Sequence, residues 1–342
     1  MLFAAAEAFR RNVSTVFLTT GVAFILVIVL AGCGGASGEN GGGASGDRIR
    51  VRLDKSQAGQ LLRYYFGGYT TPQGADPFRR GLLSERDGRY FVNVDSMAGR
   101  HPKIARKLRQ AAGGNALNWD ELAAFLQQTY YDTRDVPATR AKLLDQLKWP
   151  SDSSAWFGVE VDGVMTSARR RVRVREAALR HALTRYQEND EELIYPDSTT
   201  IIGGHYQDGE LAETTVMRKR ADGFWDFVTY GPNGKLAAET STPPRALKSP
   251  TECVGCHMGT RGFEPEESFP AEAPSGPHGP RAVHVGERMR DAEVVRFFQE
   301  HARRSDMVLG LYNTLFVSKL RAERRDGTIA PKDRKLLSNL GL

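Results

Sequence analysis

The pentad Cys253-Val254-Gly255-Cys256-His257 constrains the fold more than any other stretch of this chain. Cys-x-x-Cys-His is the attachment signature of a c-type heme. The two thiols form thioether bonds to the porphyrin vinyl groups, and the adjacent histidine supplies an imidazole nitrogen to the iron. The spacing must place both sulfurs along one edge of the ring and the imidazole beneath the metal. We predict one covalent heme c, bound by Cys253 and Cys256, with His257 as an axial iron ligand.

Two other uses of such a pentad are a zinc half-site and a redox dithiol. A structural zinc site normally needs four ligands, and Cys33 is the one cysteine outside the pentad. A thioredoxin-like dithiol belongs to a βαβ context, whereas this pentad follows the Pro-rich stretch 242–250. The sequence therefore favours heme attachment.

The N-terminal stretch predicts export. Arg10 and Arg11 form a basic region, and residues 13–30 carry no charge, which is the order found in secretory signal peptides. The apolar run is also long enough to span a membrane. An uncleaved membrane anchor is therefore the alternative to a cleaved signal peptide.

Residues 30–33, Leu-Ala-Gly-Cys, resemble a bacterial lipobox. In such a box the cysteine becomes the acylated first residue of the mature chain, so we predict a signal peptide at residues 1–32 and lipidation of Cys33. Residues 33–47 are rich in Gly and Ser and predict a flexible linker. The lipobox and the linker favour cleavage over an uncleaved anchor.

Heme c is attached after export, so the pentad and the lipobox indicate the same compartment. We predict a protein of the bacterial cell envelope, lipid-anchored to a membrane and facing the periplasm. Its formal net charge of +6 favours anionic headgroups or an acidic periplasmic redox partner, and we expect no nucleic-acid partner. The sequence leaves the choice of membrane open, and a homodimer as well.

The order of predicted elements indicates an α+β fold, in which an antiparallel β-sheet with flanking helices carries a C-terminal heme c. Residues 48–150 precede it and are expected to be mainly helical. They contain no motif that indicates a function. Residues 151–325 are expected to form the heme c domain, with an insertion at about 260–304. A tail at 326–342 follows.

Periodicity and turn signals predict the individual elements. The alternation of Arg and Val over 169–175 predicts a strand with one buried and one basic face. Residues 221–223, Ala-Asp-Gly, predict a hairpin turn, and residues 118–121 resemble a capping box that opens a helix. The predicted strands cover 159–164, 168–174, 199–206, 211–220 and 224–230, and the predicted helices cover 176–186, 291–303 and 306–321.

A helix and an antiparallel sheet ahead of the pentad are unusual, because ordinary electron-transfer cytochromes c are helical and carry the pentad near the N-terminus. In this order of elements the chain resembles the cytochrome P-460 family and its sheet-built relatives, the beta-type cytochromes c-prime, over about residues 155–320. Only the pentad is specific by itself. The resemblance rests on the order in which the other similar stretches follow one another. The similar stretches are 171–186, 195–202, 216–219, 224–227, 253–257 and 305–308 with Tyr312.

Two departures from the family bear on the chemistry that the resemblance implies. In hydroxylamine-oxidising members a strand lysine cross-links to the porphyrin, and Gly203 falls at that place here. Those members also hold a carboxylate over the distal face as a proton acceptor. That position falls on Thr215, with Glu213 two residues away on the same strand face, so these two are the candidate catalytic residues. The resemblance implies a heme without the cross-link and a confined distal pocket that binds nitric oxide or a similar small diatomic ligand.

The sequence does not decide which residue, if any, binds the iron opposite His257. Met217 lies on a predicted strand and could approach the iron, although a strand methionine is more often a core residue. A sixth ligand would fix the redox potential, whereas an open position would bind gas. Further candidates are His205, His278, His284 and His301.

The sequence is therefore compatible with three alternative functions, and it does not decide whether the protein is an enzyme. The first is a membrane-tethered monoheme protein that binds nitric oxide or another small nitrogen oxide. The second is an electron-transfer lipoprotein with a six-coordinate heme. The third is oxidation of hydroxylamine or a related substrate, against which Gly203 argues.

Replacement of the lipobox cysteine tests the anchor. We expect Cys33→Ser to leave an uncleaved precursor that incorporates no fatty acid, as measured by intact mass and labelled palmitate. Each buried methylene contributes about 0.8 kcal/mol, so two or three acyl chains anchor firmly where one would not. Ser45→Ala in the linker is the matched control and should mature normally. Normal maturation of Cys33→Ser would contradict the lipobox.

Overall fold

The computed structural model describes residues 47–53, 58–113, 115–149, 153–162, 168–189, 194–242, 246–253, 282–284, 294 and 307–342. The described residues pack as one unit. The lipobox, Cys256, His257 and the predicted helix 291–303, apart from Val294, lie outside the described residues. No helix within the described ranges combines the length and the apolar character that a bilayer span requires.

The N-terminal segment, residues 48–150, combines five helices with a small sheet. Its four strands lie in the order β2-β3-β1-β4, and these are β1 Arg48–Val51, β2 Leu83–Arg86, β3 Arg89–Asn93 and β4 Ala116–Leu117. Its helices are α1 Ala58–Thr70, α2 Val94–Arg100, α3 Pro102–Ala111, α4 Trp119–Thr129 and α5 Arg140–Gln146.

Local sequence explains how two of these elements begin and turn. Asn118 accepts a hydrogen bond from the Glu121 backbone N–H, while the Glu121 carboxylate accepts one from the Asn118 N–H, so the predicted capping box is confirmed at the start of α4. The β2–β3 hairpin turns at Asp87 and Gly88, which both have positive φ. Asp-Gly is a favoured pair for such two-residue turns.

A seven-stranded antiparallel sheet follows, in the order β10-β9-β8-β7-β6-β5-β11. The chain is thus α+β, with antiparallel strands and helices as predicted, and the five predicted strands are confirmed to within a few residues. The strands are β5 Trp156–Asp162, β6 Arg169–Arg175, β7 Thr200–Gln207, β8 Glu210–Lys219, β9 Trp225–Tyr230, β10 Leu236–Ala237 and β11 Ala282–His284.

Details of this sheet follow the sequence pattern. Val172 and Val174 of β6 are buried, whereas Arg171 before them is exposed and Arg173 between them is half-buried, which confirms the predicted buried and basic faces. The predicted turn at 221–223 is confirmed, with Gly223 at positive φ. β11 lies within the predicted insertion at about 260–304 and pairs antiparallel with β5.

The longer helices that the structure describes in this part of the chain are α6 Glu176–Asn189, α7 Met307–Arg325 and α8 Pro331–Asn339. The ring of Phe316 in α7 meets that of Phe157 in β5 edge-on, with centroids 5.7 Å apart. Arg180 of α6 donates to Asp333 of α8 over 2.6 Å. These contacts hold the helices against one face of the large sheet, and the predicted helices 176–186 and 306–321 are confirmed.

A buried carboxylate joins the N-terminal segment to the large sheet. Asp226 on β9 is fully buried, and its Oδ1 lies 3.4 Å from Arg134 Nε and 3.2 Å from Arg220 Nη1. Tyr130 donates its hydroxyl to the same oxygen over 3.0 Å. Burial alone would raise the pKa of Asp226, but the charges of Arg134 and Arg220 outweigh it and lower that pKa.

The two arginines also bind the backbone of α1. Arg134 donates to Tyr65 O over 3.1 Å and Arg220 donates to Tyr64 O over 3.0 Å. A Cβ at Gly68 would lie 2.4 Å from the Arg134 guanidinium carbon. A glycine inside a helix costs about 1 kcal/mol relative to alanine, and here it gives the guanidinium room against the helix.

Neutralising the buried carboxylate should destabilise the whole unit. Asp226→Asn keeps the side-chain shape but removes the counter-charge of the buried Arg134 and leaves the buried Arg220 with Asp222 alone. We expect a loss of about 3–5 kcal/mol in the free energy of unfolding, measured by urea denaturation. Glu160→Gln removes a half-exposed partner of Arg171 and should cost less than about 1 kcal/mol. Equal small losses in both variants would show that the buried charges do not join the two parts.

Candidate functional site

One face of the large sheet carries three rows of side chains that cross β6, β7, β8 and β9. We call them the apolar row, the middle row and the polar row. Paired residues on neighbouring strands define them. The apolar row is Val174, Ile201, Met217 and Phe227, the middle row is Val172, Gly203, Thr215 and Thr229, and the polar row is Arg170, His205 and Glu213.

A cavity lies over this face. Residues of all three rows form its floor, and two other parts of the chain form its walls. Tyr312 of α7 lines one side. The segment that follows β10 lines the other with Thr240, Leu247, Glu252 and Cys253.

The first cysteine of the pentad is therefore at this cavity, and hydrogen bonds fix the segment that leads to it. Ser249 N donates to Ala238 O over 2.8 Å, and Ser249 Oγ lies 3.2 Å from the Tyr131 hydroxyl. Cys253 itself is half-buried and packs against the core. These contacts place the predicted attachment residue beside the sheet face that we predicted to line a distal pocket.

Gly203 adds no side chain to the cavity floor. A Cβ at this position would lie 3.0 Å from Thr215 Oγ1 and 3.7 Å from His205 Nε2, with no other heavy atom outside its chain neighbours as close as these two. The strand pairing sets Gly203 directly opposite Thr215. Gly203, at the place where the resemblance expects a lysine, and Thr215, at the place where it expects a carboxylate, are thus direct neighbours.

Three side chains form a continuous polar line at one end of the cavity. His205 Nδ1 lies 3.0 Å from Glu213 Oε1, close enough for a charge contact although bent away from an ideal hydrogen bond. His205 Nε2 lies 3.0 Å from Thr215 Oγ1. Because a carboxylate can only accept, we assign the imidazole hydrogen to Nδ1, and Nε2 then accepts from the Thr215 hydroxyl.

Glu213 is fully buried and is held from several sides. Its carboxylate accepts hydrogen bonds from Ser241 N, from Ser241 Oγ over 3.0 Å and from Thr242 Oγ1 over 2.8 Å. Burial alone would raise the pKa of Glu213, but these donors and His205 outweigh it and lower the pKa to about 2. Burial also lowers the pKa of His205, so at neutral pH a neutral imidazole faces a carboxylate.

The structure brings some of the predicted residues together and separates others. Met217, Thr215 and His205 all line the cavity with Cys253, while the Glu213 carboxylate lies behind His205. His284 is in β11, at the far edge of the sheet from β7. The remaining histidine candidates, His278 and His301, lie outside the described residues.

Sequence reasoning did not find the pairing of His205 with Glu213, nor the position of Arg170. Arg170 shares the buried face of β6 with two valines and also lines the cavity. The signal in the sequence was the spacing: Arg170 stands two residues before Val172 in the alternating stretch 169–175, so its side chain lies on the same face as the valines. Among the described residues, no three His, Cys, Asp or Glu side chains cluster so as to hold a metal ion.

No protein-family model, curated protein or solved structure matches this chain. The resemblance to the cytochrome P-460 family therefore rests on the sequence motifs alone.

Acid titration should reveal the buried carboxylate. The folded-state pKa of Glu213 is lowered from 4.5 to about 2, so its contribution to stability is present above pH 4.5 and is lost as the pH falls toward 2. We expect Glu213→Gln to flatten the decline of unfolding free energy across that window, measured by urea denaturation at several pH values. Glu210→Gln, at an exposed position of the same strand, should keep the wild-type slope. Parallel curves for wild type and Glu213→Gln would contradict the assignment.

Proposed function

We propose that this chain is a membrane-tethered periplasmic monoheme c-type cytochrome. It is P-460-like without the lysine cross-link, and its distal pocket binds a small nitrogen-oxide ligand such as nitric oxide. The observation that carries the proposal is the position of Cys253, which lines one cavity together with Gly203 and Thr215. The attachment pentad thus begins at the sheet face that the family resemblance assigns to the ligand pocket.

The side chains around the cavity fit a porphyrin. The apolar row offers aliphatic and aromatic surface for the ring, and Gly203 adds no side chain to the middle of the floor. Arg170 at the polar end offers a cation suited to a heme propionate. Cys253 and Cys256 would hold the group covalently, and His257 would bind its iron.

The bound heme would supply an iron that accepts a small ligand and exchanges electrons. This chain's own residues would then confine that ligand between Tyr312 and the segment ending at Cys253. The side chains of the middle row that line the cavity are those of threonine and valine. A ligand of two or three heavy atoms suits such a space better than a larger substrate.

Electron transfer with a six-coordinate heme is the second candidate, and the position of Met217 favours it. Met217 lines the same cavity as Cys253 and is buried between Ile201 and Phe227 in the apolar row. A thioether bound to iron would close the ligand position and raise the redox potential. An optical spectrum separates the candidates, since five-coordinate high-spin heme favours ligand binding and six-coordinate low-spin heme favours transfer.

The attachment can be tested on periplasmically matured protein. We expect a pyridine hemochrome of heme c, an intact mass raised by one heme, and a tryptic heme peptide joined only through Cys253 and Cys256. The double variant Cys253→Ala, Cys256→Ala should lose heme on denaturation. His257→Ala should keep the thioethers and lose the strong proximal field.

Cys33→Ser serves as the matched control, because it removes the third cysteine and should leave heme content unchanged. A double variant that still carries heme through denaturation would refute the attachment. A third covalent link to the porphyrin would refute the role of Gly203.

A further inference from the structure

The polar line Glu213–His205–Thr215 ends inside the cavity, and its order is that of a proton relay. A buried carboxylate backs an imidazole at 3.0 Å, and the imidazole faces a hydroxyl at 3.0 Å. Carboxylate, imidazole and hydroxyl in this order raise the proton affinity of the hydroxyl oxygen, because the imidazolium that forms lies beside a negative charge. The line is rigid, since Glu213 is fixed by Ser241 and Thr242.

The cavity end of the line faces the space that a ligand would occupy. His205 and Thr215 both line the cavity, and Gly203 beside them adds no side chain to its floor. A ligand atom over Gly203 can therefore approach the Thr215 hydroxyl within hydrogen-bond distance. Because Thr215 gives its own hydrogen to His205, its oxygen has lone pairs left to accept a hydrogen bond from the cavity.

From this geometry we infer that His205, acting through Thr215 and supported by Glu213, accepts a proton from small ligands that bind in the cavity. A ligand X–H donates its proton to Thr215 Oγ1 while the hydroxyl proton passes to His205 Nε2. The products are X⁻, an unchanged Thr215 hydroxyl and an imidazolium beside the Glu213 carboxylate. The inference rests on the proposed heme pocket and deepens it, since it assists those small ligands that carry an N–H, O–H or acidic C–H hydrogen, whereas nitric oxide, which carries none, would bind without the relay.

The same geometry argues against His205 as an iron ligand. Its Nε2 lone pair is directed along the sheet at Thr215 on the neighbouring strand, and Nδ1 is engaged with Glu213. The burial that lowers the pKa of His205 keeps the imidazole neutral at pH 7 and therefore able to accept a proton. Arg170, which pairs with His205 across β6 and β7, acts in the same direction.

Cyanide and carbon monoxide test the relay on the full holoprotein. Hydrogen cyanide is protonated at pH 7 and must lose its proton when it binds ferric heme, whereas carbon monoxide binds ferrous heme without proton transfer. We expect Thr215→Val and His205→Gln to slow cyanide association by roughly 10²-fold and to change carbon monoxide association by less than about threefold, both measured by stopped flow. Thr215→Ser keeps the hydroxyl and should retain the wild-type cyanide rate.

Thr214→Val is the matched control, because Thr214 is the adjacent buried threonine on the opposite face of β8. It should leave both rates unchanged. Heme content and thermal stability of every variant report whether it has folded.

The outcomes separate the relay from the proposed function. Cyanide rates within threefold of wild type in Thr215→Val and His205→Gln, with heme intact, would overturn the relay alone. A low-spin wild type that becomes high-spin and binds cyanide faster in His205→Gln would make His205 the sixth ligand and overturn the relay. Matured wild-type protein without heme would overturn the proposed function and the relay with it.

Discussion

The buried carboxylate of Asp226 is the constraint on which the rest of the structure depends. It holds Arg134 and Arg220 against α1 and accepts the Tyr130 hydroxyl. The next residue, Tyr131, then reaches the segment before Cys253, where its hydroxyl lies 3.2 Å from Ser249 Oγ. Because buried charges are costly unless paired, this network allows one arrangement of the N-terminal segment on β9. The position of Cys253 follows from that arrangement.

A second buried carboxylate connects the cavity wall to its floor. Glu213 accepts hydrogen bonds from Ser241 and Thr242, which fixes the start of the segment leading to Cys253. The same carboxylate faces His205 and sets the hydrogen on its Nδ1. One side chain therefore orders both the wall of the cavity and its polar end. A change at Glu213 should alter the cavity wall and the surroundings of His205 together, which is why the hydroxyl of Thr215 is the sharper place to test the proposed relay.

Much of the fold over residues 151–325 could be predicted from the sequence, because β6 alternates between valine and arginine and two of the turns carry Asp-Gly pairs. The pairing of His205 with Glu213 could not. The β7–β8 turn centres on Asp208 and Gly209, and counting outward from it sets His205 opposite Ala212. A β-bulge between His205 and Tyr206 shifts the register by one residue. Since a one-residue shift moves side chains to the other face of a strand, the bulge alone brings the carboxylate to the histidine.

The arrangement of the three rows shows how one sheet face could serve two demands. A porphyrin needs apolar contact, and a ligand that loses a proton needs a buried acceptor. The apolar row around Met217 would meet the first demand and the polar row at His205 the second, and Gly203 between them adds no side chain to the cavity floor. Nothing in the alternation of apolar residues requires a glycine there. A Cβ at that point would press on Thr215 Oγ1 at 3.0 Å, so the glycine is explained by its close contact with the residue paired to it on β8.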